Sequence, residues 1–224
     1  TGEWIWRPLL NPDELLVTSF ELNNPKGFGL LQRDKDFDHY QDLETHYENR
    51  PNLWIVPQGN WGKGRVELVQ IPTGDEKFDN IVAYWIPDDL SQAQKGITCN
   101  YLMKWGASSI TPEPIGRVVA TRTSLKPQNG VRYLIDFQSE KLDSFSQTSE
   151  LKADISIGRG KLKEHHLQKN SATGGWRLSL LVQRENGIME KMISSPRPLE
   201  LRAFLRNNSH VLTETWSYVD PYTY

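Results

Sequence analysis

After Pro114 the sequence breaks into short apolar runs at a nearly even spacing, and this rhythm limits the fold more than any other feature. The runs are 115–125, 131–137, 151–157, 162–167, 176–184, 199–206 and 211–219. Turn-forming residues separate them: Pro127-Gln128-Asn129-Gly130, Gly158-Arg159-Gly160, Ala172-Thr173-Gly174-Gly175, Asn186-Gly187 and Asn207-Asn208-Ser209. Runs this short, punctuated by Gly and Asn, are strands. About seven strands in about 110 residues predict a two-sheet sandwich of immunoglobulin type. Cys99 is the only cysteine, so the Cys pair of antibody domains is absent and only the architecture is implied. The same fact excludes an intrachain disulfide and a cysteine-based metal site.

The first half is less regular. Residues 3–9, 15–22, 53–56, 66–71, 81–86 and 97–105 alternate or run apolar and read as strands. A short strand is also expected in GFGLLQRD, where the glycines allow close backbone approach. One stretch breaks the pattern. Phe37, Tyr40, Leu43 and Tyr47 recur at helical spacing, with Asp36 or Asp38 near the start and Pro51 as the stop. This predicts a helix. PQGNWGKGR lacks the spacing of a phosphate-binding loop and reads as a long hairpin loop presenting Trp61. Cys99, inside ITCNYLMKW, reads as a small buried hydrophobe.

Charge divides the chain. The net charge is -2, which argues against a general nucleic-acid binder. Residues 1–106 carry 10 Lys/Arg and 16 Asp/Glu, net -6, whereas 107–224 carry 16 and 12, net +4. The switch falls near the turn-rich WGASSITPEP and predicts domains at 1–106 and 107–224. Six of the eight Trp precede residue 107: Trp4, Trp6, Trp54, Trp61, Trp85 and Trp105. Aromatic faces stack on sugar rings as on other apolar faces, and core packing is the alternative for each. No apolar run approaches the ~20 residues of a membrane span. Thr1 is not a start methionine, so the chain reads as a processed product or a piece of a longer one, and no compartment follows from the lack of a leader.

Carboxylates are the best material for chemistry. The stretch Ile71 to Pro87 reads IPTGDEKFDNIVAYWIP. Its second half, Ile81 to Ile86, has the composition of a buried strand. Asp75 and Glu76 read as turn residues. Asp79 stands where the loop meets the strand; either it merely ends the loop, or shielding by Tyr84 and Trp85 suits it to donate a proton. Glycoside hydrolysis uses a second carboxyl as well. The run Asp34, Asp36, Asp38 and Asp42 suits the ordering of sugar hydroxyls, or equally a solvated helix start. His39 and His46 lie seven apart without a third ligand, so no metal is expected. No Gly-x-Ser-x-Gly elbow or Ser/His/Asp set stands out.

The residues from NPKGFGLLQRDKDFDHYQDLETHYENRPNLWIV to PTGDEKFDNIVAYW resemble the osmoregulated periplasmic glucan biosynthesis proteins G and D. The match runs from GEWIWRPL to LTETWSY and is most specific over residues 2–87. The resemblance implies an all-β protein in the periplasm. Residues 1–106 would be the C-terminal part of a galactose-mutarotase-like β-sandwich, followed by an immunoglobulin-like β-sandwich at 107–224. It implies action on a β-1,2-glucan backbone, as an inverting glucanase or a transglycosylase, with no cofactor. Asp79, in Asp-Asn-Ile-Val, matches the family's general acid, and Tyr47 matches a Tyr near the reacting sugar. The general base is expected in an Asp-Ser-Asp-Gly motif upstream of Thr1, so this chain alone is expected to be inactive. Lys77 departs from a small polar residue common in the family. Trp4, Trp6, Trp61 and Tyr47 are the expected sugar contacts, with Arg33 and Asp42 next. The alternative is a glucan-binding module that assists the membrane glucan synthase without chemistry. A homodimer is a further open expectation.

Overall fold

The structure, a computed structural model, describes residues 2–75, 77–89, 96–107, 110, 116–126, 130–147, 150–184 and 198–220. It is an all-β protein, with two one-turn helices and a single 3-10 turn among the described residues. The chain divides into two compact units, Thr1–Leu9 with Pro114–Tyr224, and Leu10–Glu113. The first nine residues therefore stand apart from the 1–106 stretch with which their sequence groups them. The strand expected over 3–9 shortens to β1 (Ile5–Trp6), which pairs in parallel with β15 (Thr215–Asp220).

The discontinuous unit holds two sheets. One runs β11 (Gly160–Lys169), β12 (Trp176–Arg184), β9 (Gly130–Gln138), β8 (Arg117–Lys126). The other runs β1, β15, β13 (Leu199–Asn207), β10 (Leu151–Ile157), with β14 (His210–Val211) also on β13. Alternation along the strands puts Tyr133, Ile135 and Phe137 of β9 and Leu178, Leu180 and Val182 of β12 on one buried face. They meet Leu201, Ala203, Leu205 and Trp216 of the other sheet. The Tyr133 ring lies 6.2 Å from Trp216 and 5.7 Å from Tyr218. The Trp216 indole N–H donates to Thr121 Oγ1 at 3.0 Å, and the Tyr133 hydroxyl donates to Asp220.

Two details of this unit escaped the sequence. The run 211–219 splits because the Thr213 hydroxyl takes the Leu205 N–H at 2.9 Å in place of a ladder bond. Helix α2 (Glu140–Asp143) is too short to show a period. Ser139 caps it by accepting from the Leu142 N–H at 3.1 Å, and Leu142 is fully buried.

The Leu10–Glu113 unit holds two three-stranded sheets. One runs β2 (Leu16–Asn23), β5 (Lys63–Gln70), β6 (Ile81–Pro87); the other runs β3 (Phe28–Leu30), β4 (Asn52–Gln58), β7 (Asn100–Gly106). The expected close approach of the glycines is present. A β-carbon on Gly27 would stand 2.6 Å from the Trp54 indole, and one on Gly29 would strike the Leu53 carbonyl. The segment between β4 and β5 is not a hairpin loop, because those strands belong to different sheets. It carries Trp61 into an aromatic cluster instead. Trp61 lies 5.8 Å from Trp85 of β6, 6.4 Å from Phe28 of β3 and 6.4 Å from Tyr101 of β7. Its indole N–H donates to the Asn100 carbonyl at 3.0 Å. Asn24 and Gly62 exchange hydrogen bonds at the same end.

Successive strands thus run to and from the Trp61 end. β2, β4 and β6 run toward it, while β3, β5 and β7 run away. The segments 31–51 and 71–80 emerge at the opposite end, about 20 Å away at a rise of about 3.3 Å per residue.

Two expectations change here. Strand β6 is half-buried on the edge of its sheet, with Val82 45% and Tyr84 40% exposed. Cys99 is exposed, because it precedes an edge strand, β7, whose residues are exposed on both faces. Glu76 and the turns at 127–129 and Asn186-Gly187 lie outside the described residues.

Candidate functional site

The segment 31–51 carries most of the expected sugar contacts, and it is not the predicted helix. Helix α1 covers only Phe37–Tyr40. Gln41 adopts φ 51, and His46 adopts φ 49, so the chain turns left-handed twice. Asp42 supplies the local reason. Its Oδ1 accepts from the N–H groups of Glu44 and Thr45 at 2.9 and 3.0 Å, and its Oδ2 accepts from the Thr45 hydroxyl. That capture competes with the helical ladder. Leu43, expected on the inner face, is 76% exposed. A 3-10 turn over Tyr47–Asn49 then leads into β4.

The turn gathers several groups. The Tyr47 ring lies 6.2 Å from Tyr40, and the Arg50 guanidinium carbon stands 4.5 Å from its centre. Such a cation over an aromatic face is attractive. Gln32 Nε2 donates to the Tyr47 carbonyl and, at 3.2 Å, to the Asp34 carbonyl. Lys35 Nζ donates to the Arg50 carbonyl. Glu48 Oε1 takes His46 Nδ1 at 2.9 Å and Asn49 Nδ2 at 3.0 Å, while Oε2 is buried with no hydrogen-bond partner.

The electrostatics follow from these contacts. Desolvation works to raise the Asp34 carboxyl, but His39, the Asp36 N–H and the His39 charge together hold it below the usual carboxylate value. Its partner His39, 2.7 Å away, is raised by that hydrogen bond and by the Asp34 charge. The Tyr40 phenol is raised by desolvation and by the charges of Asp34 and Glu48. The Thr45 hydroxyl, then the Thr45 and Glu44 N–H groups, lower Asp42. Each histidine is thus engaged by its own carboxylate. Among the described residues no three His, Cys, Asp or Glu side chains converge on a metal position.

Asp79 sits in the other segment at this end, just before β6. It is exposed. The expected shielding by Tyr84 and Trp85 is absent, because Tyr84 is five residues further on, about 16 Å along an extended chain. The Tyr84 hydroxyl donates instead to Glu67 at 3.0 Å, and Trp85 packs on Trp61. The loop before Asp79 is fixed by Asn80, whose carbonyl accepts from the Ile71 N–H at 2.8 Å, and by Asp75, which pairs with Lys77 Nζ at 2.7 Å. That ion pair gives Lys77 a local partner, and the Lys77 hydrogen bond draws Asp75 below its ordinary value.

The expected residues therefore fall into three places. Arg33, Asp42, Tyr47 and Asp79 emerge at one end of the Leu10–Glu113 unit. Trp61 stands at the other end, in a packing role. Trp4 and Trp6 flank or form β1 in the discontinuous unit. Sequence reasoning missed Gln32, Glu48 and Arg50, and took Tyr40 only for a helix face, because their partnership arises after two left-handed turns that no residue pattern announced. Among the described residues no helix is long and apolar enough to cross a membrane.

Comparison with known proteins places this arrangement. The profile of the family described as "Periplasmic glucan biosynthesis protein, MdoG" matches residues 1–219. The chain is 41% identical to the glucans biosynthesis protein G of Serratia proteamaculans, covering 98% of this chain and 43% of the relative. It is 40% identical to the glucans biosynthesis protein G of Ralstonia nicotianae, covering 99% and 44%. It is 42% identical to the probable glucans biosynthesis protein D of Shewanella oneidensis, covering 97% and 40%. The chain spans about two fifths of the length of these relatives.

Proposed function

The chain belongs to the periplasmic glucan biosynthesis protein family, MdoG, and from that premise we propose that it contributes the acid-bearing part of a site acting on β-1,2-glucan. On this reading the segment 31–51 holds the sugar, through the Tyr47 face and the acceptors of Asp42, with Arg33 beside them. Asp79 protonates the glycosidic oxygen that leaves. A second carboxylate, outside this chain, activates water for attack with inversion. No metal or nucleotide enters the scheme.

The observation that carries the reading is topological. The two segments bearing Tyr47 and Asp79 leave two different sheets at the same end of one unit. Carbohydrate sites draw on such loops because the sheets beneath hold them rigid. The test is Asp79→Asn in a full-length family member. Release of reducing ends from β-1,2-glucan is expected to fall by at least about a thousandfold, the upper range of a general acid's worth. Unchanged release removes Asp79 from the chemistry.

A second reading has its own support. Asp79 is exposed, whereas a proton donor works best where water is excluded. A module that only holds nascent glucan for the membrane synthase needs no such exclusion. Product analysis separates the two, since a holder leaves polymer length unchanged.

A further inference from the structure

Gln32 joins the sheet to the turn that bears Tyr47. Its backbone N–H donates to Asn52 Oδ1 at 2.7 Å, and Asn52, the first residue of β4, is 6% exposed. The Gln32 backbone is therefore pinned to a buried point of the sheet. Its side chain reaches back across the segment. Both hydrogens of an amide NH2 are available as donors, and both are used, one on the Tyr47 carbonyl and one on the Asp34 carbonyl. Lys35 performs the matching task on the Arg50 carbonyl. The two carbonyls flanking the turn thus each receive a side-chain donor from the start of the same segment.

Among the described residues the backbone–backbone bonds within this stretch are local: His39 N–H to Asp36 O, Gln41 N–H to Phe37 O, Asn49 N–H to His46 O and Arg50 N–H to Tyr47 O. None of them ties the segment to a sheet. Two non-glycine residues, Gln41 and His46, are left-handed, a conformation that has to be held by contacts around it. The Tyr47 backbone is thus held by a donor from outside the turn, alongside the contacts of its ring with Tyr40 and Arg50.

We propose that Gln32 is a positioning residue of this site: its side-chain amide, clamping the Tyr47 and Asp34 carbonyls with Lys35 as its companion, fixes where Tyr47 meets glucan. This rests on the glucan reading above. The chemistry required is donation, not bulk. Methionine at position 32 keeps the length and loses the donor. Glutamate keeps the shape and turns an acceptor toward two carbonyls. Lysine restores an N–H donor at similar reach.

The test uses the chain with Gln32→Met, Gln32→Glu, Gln32→Lys and Tyr47→Ala. Two quantities are read: amide exchange at Asn49 and Arg50, and affinity for a β-1,2-linked gluco-oligosaccharide by calorimetry. Gln32→Met is expected to speed exchange at both amides and weaken binding about fivefold, the net worth of one hydrogen bond. Gln32→Glu weakens it further, and Gln32→Lys recovers most of the loss. Exchange and affinity unchanged in Gln32→Met overturn the proposal. So does a Gln32→Lys variant as weak as Gln32→Met, which would make the effect one of packing. If Tyr47→Ala binds like the parent, or the parent does not bind, the glucan reading fails separately. Exchange at Asn49 and Arg50 in Gln32→Met then decides the clamp: faster exchange supports it, and unchanged exchange overturns it.

Discussion

The two units are built from the same material and finished differently. In the discontinuous unit, Trp176, Trp216, Tyr133, Phe137 and Ile135 are at most 2% exposed, and two sheets close on one another. Among the described residues of the Leu10–Glu113 unit the buried core hydrophobics are few, namely Leu16, Trp54, Val66 and Leu68, and the largest fully buried side chain is polar, Gln70. Trp105 stands 61% exposed and Leu102 52%. Alternation along β13 and most of β9 gives the first unit a dry face on each sheet, and β15 is buried throughout. Strand β7, apolar on both faces, gives the second unit no such choice. Burial is concentrated in one unit, and the surface proposed to meet glucan lies in the other.

The sharpest way to break this contrast is truncation of matched aromatics. Trp216→Ala removes a fully buried indole that stacks on Tyr218 at 5.4 Å and donates to Thr121. It is expected to cost about 3–5 kcal/mol in denaturant unfolding. Trp105→Ala, on the open strand, should stay within about 0.5 kcal/mol. Equal costs would dissolve the distinction.

A polar counterpart sharpens it. Asp136 is held between Arg177, at 2.6 and 2.8 Å, and Arg122, at 2.9 Å. Desolvation opposes its ionisation, but the hydrogen bonds and charges of Arg177 and Arg122 leave it below the ordinary carboxylate value. A carboxyl lowered on folding adds stability that is present above its unfolded pKa, about 3.9, and is lost as pH falls through the folded value. Asp136→Ala should cost about 2 kcal/mol at neutral pH and flatten the acid limb of the stability curve. An unaltered acid limb would show that the two arginines do not govern it.

The next contrast lies within the unit proposed to meet glucan. Tyr47→Ala is expected to weaken glucan binding about tenfold, a plausible value for one aromatic contact, with little change in melting temperature. Trp61→Ala should do the reverse, lowering stability with affinity kept, because Trp61 packs at the far end. Calorimetry and thermal denaturation on both variants decide whether that end is separate.

The smallest effect concerns the acidic segment. His39 is raised and Asp34 lowered by their mutual contact. The His39 contribution is complete below its unfolded pKa and fades as pH rises through the raised one; that of Asp34 fades as pH falls through the lowered one. Exchange protection near α1 should therefore be greatest between those two values. His39→Gln should remove the alkaline edge of that window, and a profile identical to the parent's would refute the pairing.

Much of the strand order was readable before any coordinates. The runs 151–157 and 176–184 coincide with β10 and β12, because each alternates between clear turns. The segment 31–51 was misread because Phe37, Tyr40, Leu43 and Tyr47 share a helical spacing while Asp42 diverts the backbone between them. Spacing reports which residues could face one way, not which local hydrogen bond intercepts the chain. Trp61 was misplaced for a different reason. Its partners Trp85 and Tyr101 arrive from far along the sequence, and no local pattern encodes them. Tyr47 was named as a site residue through resemblance, and Asp79 through resemblance and its place before β6; that both emerge at one end of the unit became visible only with the sheet topology.

The parallel pairing of Ile5 with Thr215 carries a consequence for how the molecule is made. Residues 10–113 can be complete on the ribosome while the sheet that needs β15 still waits for its last strand. Topologies whose contacts are this remote in sequence close late and slowly. The unit proposed to meet glucan is thus synthesised before the strand that completes the other unit's sheet, and the two can only mature in that order.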